Sequence, residues 1–168
     1  MAYDVEFILS SVHAIQKRHG VVSAQPALPA AGRLYVIHND TTSRPVYVGT
    51  ASDVQQRFVQ RIAAVRELGF GNAHINPIEI HVYRVEVDGR PRPPDDLGYS
   101  AGIDVEHLLI RLHLKQGISV RNIGKLGAFV NNTGQRIDLT LTAAVGQNVP
   151  AYLGGNDIYV GLPKDKVY

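Results

Sequence analysis

The chain has 168 residues, which is enough for one domain with a hydrophobic core and too few for two large ones. It contains no cysteine, so disulfides, thiolate nucleophiles and thiolate zinc sites are excluded. The formal net charge of +2 excludes a strongly basic coat for nucleic acid, although arginine and lysine side chains can still cluster locally.

The first predicted element is a helical extension over residues 1–22, ended by Gly20. The prediction rests on apolar residues that fall on one helical face, namely Val5, Ile8, Leu9, Val12 and Ile15. Asp4 and Glu6 lie where a secretory signal would begin, and no long apolar core follows them. No stretch of the chain is apolar for long enough to span a membrane. We therefore expect a soluble, cytoplasmic protein with no membrane partner.

A hairpin, two helices and further strands are predicted after a proline-containing linker. Strand-like runs of β-branched and aromatic residues alternate with segments of helical apolar spacing. The predicted elements are a hairpin over 33–49, a helix over 52–68, a strand over 78–87, a helix over 103–117 and short strands over 136–145 and 157–163. This order predicts an α+β domain in which helices flank a small mixed or antiparallel three-stranded sheet, followed by a β-rich C-terminal extension.

Arg57 is the first candidate for chemistry. It precedes Phe58, a member of the apolar stripe of its helix, so it emerges where the core meets solvent. A guanidinium group is a permanently charged planar donor that suits a phosphate group. The alternative is an ordinary solvated arginine on a helix surface.

Glu106 is the second candidate, because it lies off the polar face of its helix. That face is formed at helical spacing by Asp104, His107, Arg111 and Lys115. A carboxylate away from the solvated face must be paired or must bind a metal to offset its desolvation. A single carboxylate completed by water and phosphate oxygens suits Mg²⁺, or Mn²⁺, better than a closed zinc site. The alternative is a salt bridge to an arginine at the edge of the core.

The ordered set of these residues resembles the GIY-YIG nuclease family. The first family motif appears as RLY, ending at Tyr35, and the second as YVG, beginning at Tyr47. The glycine is followed by a small hydroxyl residue and the next helix carries an arginine, as in the family. A glutamate on a later helix and an asparagine beyond it complete the matches, which are Thr50, Arg57, Glu106 and Asn122. The resemblance covers residues 33–125.

The resemblance implies a role for each matched side chain. Tyr47 is the candidate general base or water-positioning group, and Tyr35 is a supporting hydroxyl. Arg57 would stabilise charge on the phosphate, and Glu106 would hold the metal ion. Thr50 and Asn122 are candidate substrate-binding residues. For both tyrosines the alternative is plain packing, since aromatic residues in strands are usually packing residues.

This chain departs from the family pattern at two places. Arg33 and Leu34 replace the glycine and isoleucine of the first motif. Arg61 stands one turn after Arg57, where many relatives carry histidine or tyrosine. Arg61 can contact phosphate, but it cannot accept a proton at neutral pH. His74 is the nearest alternative for proton transfer, and an ordinary polar loop residue is an equal interpretation.

The resemblance predicts a metal-dependent endonuclease that hydrolyses DNA. It divides the chain into an N-terminal extension over 1–22, a nuclease core over 33–125 and a β-rich extension over 126–168. A bacterial toxin, which would be delivered into a target cell, or a restriction-type nuclease fits the small size. An acidic immunity protein or a second copy of the chain would then be a partner. Two alternatives remain open. One is a catalytically inactive nucleic-acid-binding module on the same scaffold, and the other is a protein-interaction domain whose tyrosines and glutamate are structural.

Overall fold

The structure is a computed structural model, and it describes residues 2–18, 21–30, 33–39, 46–67, 78–120, 122, 124, 125, 127, 129–153 and 158–162. These residues form ten strands, two α-helices and one short 3-10 turn. The strands are β1 (Ala2–Arg18), β2 (Val21–Gln25), β3 (Arg33–Asn39), β4 (Tyr47–Ala51), β5 (Ile78–Val87), β6 (Arg90–Pro91), β7 (Tyr99–Ser100), β8 (Ile103–Asp104), β9 (Arg136–Ala143) and β10 (Ile158–Leu162). The helices are α1 (Val54–Glu67) and α2 (Val105–Lys115), and the 3-10 turn is Ala151–Leu153.

One large sheet organises the molecule. Its main strands run in the order β10, β9, β1, β5, β3, β4, with β2 added to β1 and β6 added to β5. All of these pairs are antiparallel except β1 with β9, which is parallel. The small strands β7 and β8 form a separate pair just before α2. The predicted α+β class is therefore confirmed.

The two helices cover opposite faces of this sheet. Alternate residues of a strand point to opposite faces, and alternate residues of β3 belong to different apolar clusters. Leu34 and Val36 join the cluster that contains the buried face of α2. Tyr35 and Ile37 join the cluster that contains Val54 and Phe58 of α1.

The predicted N-terminal helix is wrong, because residues 2–18 form the long central strand β1. Val5, Phe7 and Leu9 are buried at the two-residue spacing of a strand. Ile8 on the opposite face is buried as well, and the pairing of β1 with β5 shifts register between Leu9 and Ser11. A strand with buried residues on both faces does not show the regular alternation of apolar and polar residues that a half-exposed strand shows. The resulting apolar positions also satisfy a helical spacing, which explains the error.

The predicted three-stranded sheet is too small, although its three strands are present and adjacent. The hairpin β3–β4 and the later strand β5 lie side by side with β3 in the centre. β1 continues the sheet beyond β5 and brings in β9 and β10 from the C-terminal part of the chain. The predicted helices over 52–68 and 103–117 are confirmed as α1 and α2. Among the described residues, neither helix is long and apolar enough to cross a membrane.

The outer edge of β4 is closed by the segment that follows α2. The backbone N–H of Val46 donates to the carbonyl of Ser119 at 2.9 Å. Asn122 then accepts from the N–H of Val48 at 3.0 Å and donates to the carbonyl of the same residue at 2.5 Å. An edge strand normally leaves such backbone groups unpaired. These contacts hold β4 and the candidate site next to it in one position relative to α2.

Candidate active site

The two motif tyrosines lie together on the α1 face of the sheet. The ring centroids of Tyr35 and Tyr47 are 6.4 Å apart, with an angle of 37° between the ring planes. Tyr35 is directly opposite Gly49 in the register of β3 and β4. A Cβ atom added at Gly49 would lie 2.5 Å from both the Cζ and the hydroxyl oxygen of Tyr35. The glycine of the YVG motif therefore leaves the space in which the tip of the Tyr35 ring lies.

Replacing Gly49 by alanine is expected to lower the free energy of unfolding by about 1–3 kcal/mol, because the added methyl group overlaps a buried ring. Urea unfolding of the variant and of wild type measures the change. Gly124→Ala is the matched control, since a Cβ atom there meets nothing within 4 Å. Equal stability of Gly49→Ala and Gly124→Ala would show that the ring does not need this space.

Thr50 and Glu106 form a direct hydrogen bond on the other face of the sheet. The hydroxyl of Thr50 donates to Oε2 of Glu106 at 2.6 Å, although the two residues are 56 positions apart in the chain. Glu106 lies in the first turn of α2, after Asp104, whose side chain caps the helix by accepting from the N–H of His107. The Glu106 side chain is 17% exposed. This geometry places the second motif and the candidate metal ligand in contact.

Lys125 also approaches Glu106, and sequence reasoning missed it. Its ammonium group lies 3.6 Å from Oε1 of Glu106, 3.1 Å from Oδ1 of Asp104 and 2.7 Å from the carbonyl oxygen of Leu97. Three oxygen atoms therefore surround one cation beside the N-terminus of α2. The expected alternative for Glu106 was a salt bridge to an arginine; the observed ion pair is to a lysine.

Arg57 lies on α1 and forms an ion pair with Asp96. The distance from its guanidinium Nη2 to Oδ1 of Asp96 is 3.5 Å. Asp96 accepts a stronger hydrogen bond from the N–H of Ser52, at 2.8 Å. That backbone hydrogen bond, followed by the Ser52 hydroxyl and then Arg57, lowers the pKa of Asp96 below its ordinary value. Because this pair is solvent-exposed, its strength is small and Arg57 can exchange Asp96 for another anion.

A short turn connects the two halves of the candidate site. Asp96 contacts Arg57, and two residues later Gly98 lies against the side chain of Glu106. A Cβ atom at Gly98 would come within 2.7 Å of Cβ of Glu106 and within 2.9 Å of the Lys125 ammonium nitrogen. Arg57 and Glu106 are thus brought to the carboxyl end of β4 from opposite faces of the sheet, on either side of this turn.

The other site residues named in the sequence analysis are Asn122, Arg61 and His74. Both polar atoms of the Asn122 side chain bond the backbone of Val48, so its amide holds the edge of β4. Arg61 lies on α1 one turn beyond Arg57, and its side chain lies outside the described part of the structure. His74 lies outside the described residues altogether. The roles assigned to Arg61 and His74 stay predictions.

A pocket of about 210 Å³ opens beside Asp104, on the side of the site that carries Lys125. Its lining includes Tyr99, His107 and Phe129. The Lys125 ammonium lies 5.5 Å from the centroid of the Tyr99 ring, which is 43% exposed. An exposed aromatic ring next to a cation is a suitable stacking surface for a base. The only sequence signal for it was a tyrosine inside a proline-rich loop.

A second pair that sequence reasoning missed lies on β1. The Ser11 hydroxyl is 2.6 Å from Nε2 of His13, and Nδ1 of His13 is 2.7 Å from the carbonyl oxygen of Pro26. A carbonyl oxygen only accepts, so Nδ1 of His13 donates to the Pro26 carbonyl. The spacing of two residues on a strand was the available signal, and the mistaken helix concealed it.

The chain matches no protein-family model, no curated protein and no solved structure. Function is therefore inferred from the residues and their geometry.

Proposed function

We propose that the chain is a divalent-metal-dependent endonuclease of the GIY-YIG type that hydrolyses phosphodiester bonds in DNA. The observation that carries the proposal is the contact between Thr50 of the second motif and Glu106 of α2. The turn at residues 96–98 extends this contact to Arg57. Residues predicted from separate parts of the sequence therefore meet at one end of β4.

The oxygen atoms around Lys125 fit a magnesium ion. Mg²⁺ prefers carboxylate, carbonyl and water oxygens, and Asp104, Glu106 and Leu97 present two carboxylates and a carbonyl around one positive charge. Glu106 would hold the ion with Asp104, after Lys125 moves away. When bound, Mg²⁺ stabilises negative charge on phosphate oxygens and on the leaving oxygen.

The chain's own side chains supply the rest of the proposed chemistry. Arg57, released from its exposed pair with Asp96, contacts a non-bridging phosphate oxygen and stabilises the charge that develops there. Tyr47 lies at the partly exposed start of β4 on the α1 face, whereas Thr50 and Glu106 meet near the other end of the strand on the opposite face, so a role for Tyr47 in positioning water stays a prediction of the resemblance. Tyr35 is buried behind it and supports the ring of Tyr47.

An inactive nucleic-acid-binding module is a second candidate, favoured by the ion pair between Lys125 and Glu106. In that function the lysine permanently occupies the cation position. Arg57 and the exposed Tyr99 would then contact phosphate and base without cleavage.

Supercoiled plasmid DNA separates the two candidates. The nuclease is expected to convert it to nicked or linear DNA in Mg²⁺ or Mn²⁺ and to stop when EDTA is added. A gel-shift assay in EDTA measures binding in parallel. Binding without cleavage across both metals would favour the inactive module, and the absence of both activities would contradict each candidate.

A further inference from the structure

A second cluster of potential metal ligands lies at the far end of the β3–β5 pair. Glu79 and His81 are two residues apart on β5, so their side chains share one face of the sheet. His38 of β3 is directly opposite Glu79 in the strand register. One ligand atom from each of the three residues lies within 4.8 Å of the other two.

The spacing within this cluster is close to that of a coordinated ion. Nε2 of His81 is 2.9 Å from Oε2 of Glu79. Zinc bonds to nitrogen and oxygen of about 2.0–2.2 Å put neighbouring tetrahedral ligands ~3.4 Å apart. A small widening of this pair and an approach of His38 would therefore enclose a zinc ion. The Glu79 side chain is 41% exposed, so it has room to move and leaves a path for the ion to enter.

We propose that His38, Glu79 and His81 bind a zinc ion through two imidazole nitrogens and one carboxylate. Two histidines and one glutamate are a recurrent ligand set for zinc, with a fourth position left for water or another ligand. In the metal-free chain His81 and Glu79 are joined by a hydrogen bond. Zinc would take the place of the hydrogen-bonding proton between Nε2 of His81 and the Glu79 carboxylate, and that proton would move to Nδ1 of the neutral imidazole ring.

Glu79 supplies the negative charge of this cluster. The hydrogen bond from His81 lowers the pKa of Glu79, more than its partial burial raises it, so the carboxylate is ionised at neutral pH. His113 of α2 lies close enough to His38 and His81 to interact with them electrostatically. Desolvation by complete burial lowers the pKa of His113 to about 4, so this residue adds no positive charge at pH 7.

This zinc site is separate from the candidate active site. His113 and Glu106 are seven residues apart on α2, which corresponds to ~10 Å along the helix axis. Glu106 lies at the end of α2 next to β4, and His113 lies at the other end, near the histidine cluster. The two proposals therefore use different residues and stand or fall independently.

Zinc titration of the complete, EDTA-treated and dialysed chain tests the proposal. Calorimetry is expected to give one zinc equivalent per chain for wild type. Glu79→Gln and His81→Gln are each expected to weaken binding by at least ~10-fold, because loss of even an outer-shell partner of a metal site has an effect of that size. Zinc is also expected to raise the thermal unfolding midpoint of wild type and not of these variants, since it binds the folded chain.

Three matched variants distinguish this site from adventitious binding. Glu86→Gln changes a glutamate of the same strand outside the cluster, and His107→Gln changes a histidine of α2 that bonds Gly127. Glu6→Gln changes a glutamate of β1 that accepts a hydrogen bond from Thr142. All three are expected to bind zinc as wild type does. The proposal is overturned if wild type binds no zinc, or if Glu79→Gln and His81→Gln, with their circular dichroism unchanged, bind it as tightly as wild type does.

Discussion

Substitution of Arg57 by alanine is expected to lower the rate of DNA cleavage by ~100-fold or more, because removing one preorganised donor from a developing anion has an effect of this size. The free energy of unfolding should change by no more than ~0.5 kcal/mol, as is usual for surface substitutions. The side chain is 26% exposed and its partner Asp96 is 54% exposed, so their pair adds little to the fold. Initial rates of plasmid nicking at saturating metal, with urea unfolding in parallel, measure both quantities.

Two variants control for charge and for the ion pair. Arg84→Ala removes an exposed arginine from β5 and should leave the cleavage rate unchanged. Asp96→Asn weakens the attachment of Arg57 without removing the guanidinium, so its rate should remain near that of wild type. If Arg57→Ala cleaves as fast as Arg84→Ala, the role assigned to Arg57 is wrong.

Acidification from pH 7.5 to pH 5 is expected to destabilise the protein by about 2 kcal/mol through His113 alone. Complete burial lowers the pKa of His113 to about 4 in the folded chain, against 6.5 for the ordinary group. Between these values the unfolded chain binds a proton that the folded chain does not. Stability therefore falls as the pH drops through 6.5 towards 4, and it is independent of this group above 6.5.

His113→Leu tests the origin of this pH dependence. Leucine is apolar, and the Leu109 carbonyl that His113 contacts still receives its helical backbone hydrogen bond. Urea unfolding at pH 7.5 and pH 5 measures how much the free energy of unfolding falls on acidification. This fall should be smaller by about 2 kcal/mol in the variant than in wild type. The carboxyl groups with lowered pKa values, Glu79 and Asp96, titrate below this window. If the pH dependence of the free energy of unfolding is unchanged in His113→Leu, or is lost equally in His107→Gln, the assignment to His113 is wrong.

The elements with local signals could be predicted from the sequence. The hairpin β3–β4, the strand β5 and both helices carry a clear apolar period, and they form where that period indicates. β1 could not be predicted, because its character depends on partners far away in the chain. It pairs with β5 and with β9, which begins at Arg136. The burial of Ile8 on the second face and the register shift after Leu9 give an apolar pattern that resembles a helix.

Two of the residues named by the resemblance meet in the fold, and the charged groups around them could not be predicted from the sequence. The resemblance named Thr50 and Glu106 for separate reasons, and the fold brings them into hydrogen-bonding contact. Lys125 had no signal, because nothing in its local sequence points to Asp104, 21 residues earlier. The resemblance named Asn122 as a substrate-binding residue, but it gave no signal for the contact between the Asn122 amide and the backbone of Val48, 74 residues away. Long-range polar contacts of this kind leave no periodicity in a sequence.

The central claim is that the end of β4 is a metal-dependent phosphodiesterase site that includes Glu106. Its most direct measurement is the rate of plasmid cleavage by wild type and by Glu106→Gln over a range of Mg²⁺ concentrations. We expect wild type to cleave with a saturating dependence on Mg²⁺. Glu106→Gln keeps the size of the side chain and an acceptor for Thr50. It should cleave plasmid DNA ~100-fold or more slowly than wild type at every Mg²⁺ concentration. Equal cleavage by the two proteins, or cleavage by wild type that EDTA does not stop, would contradict the claim.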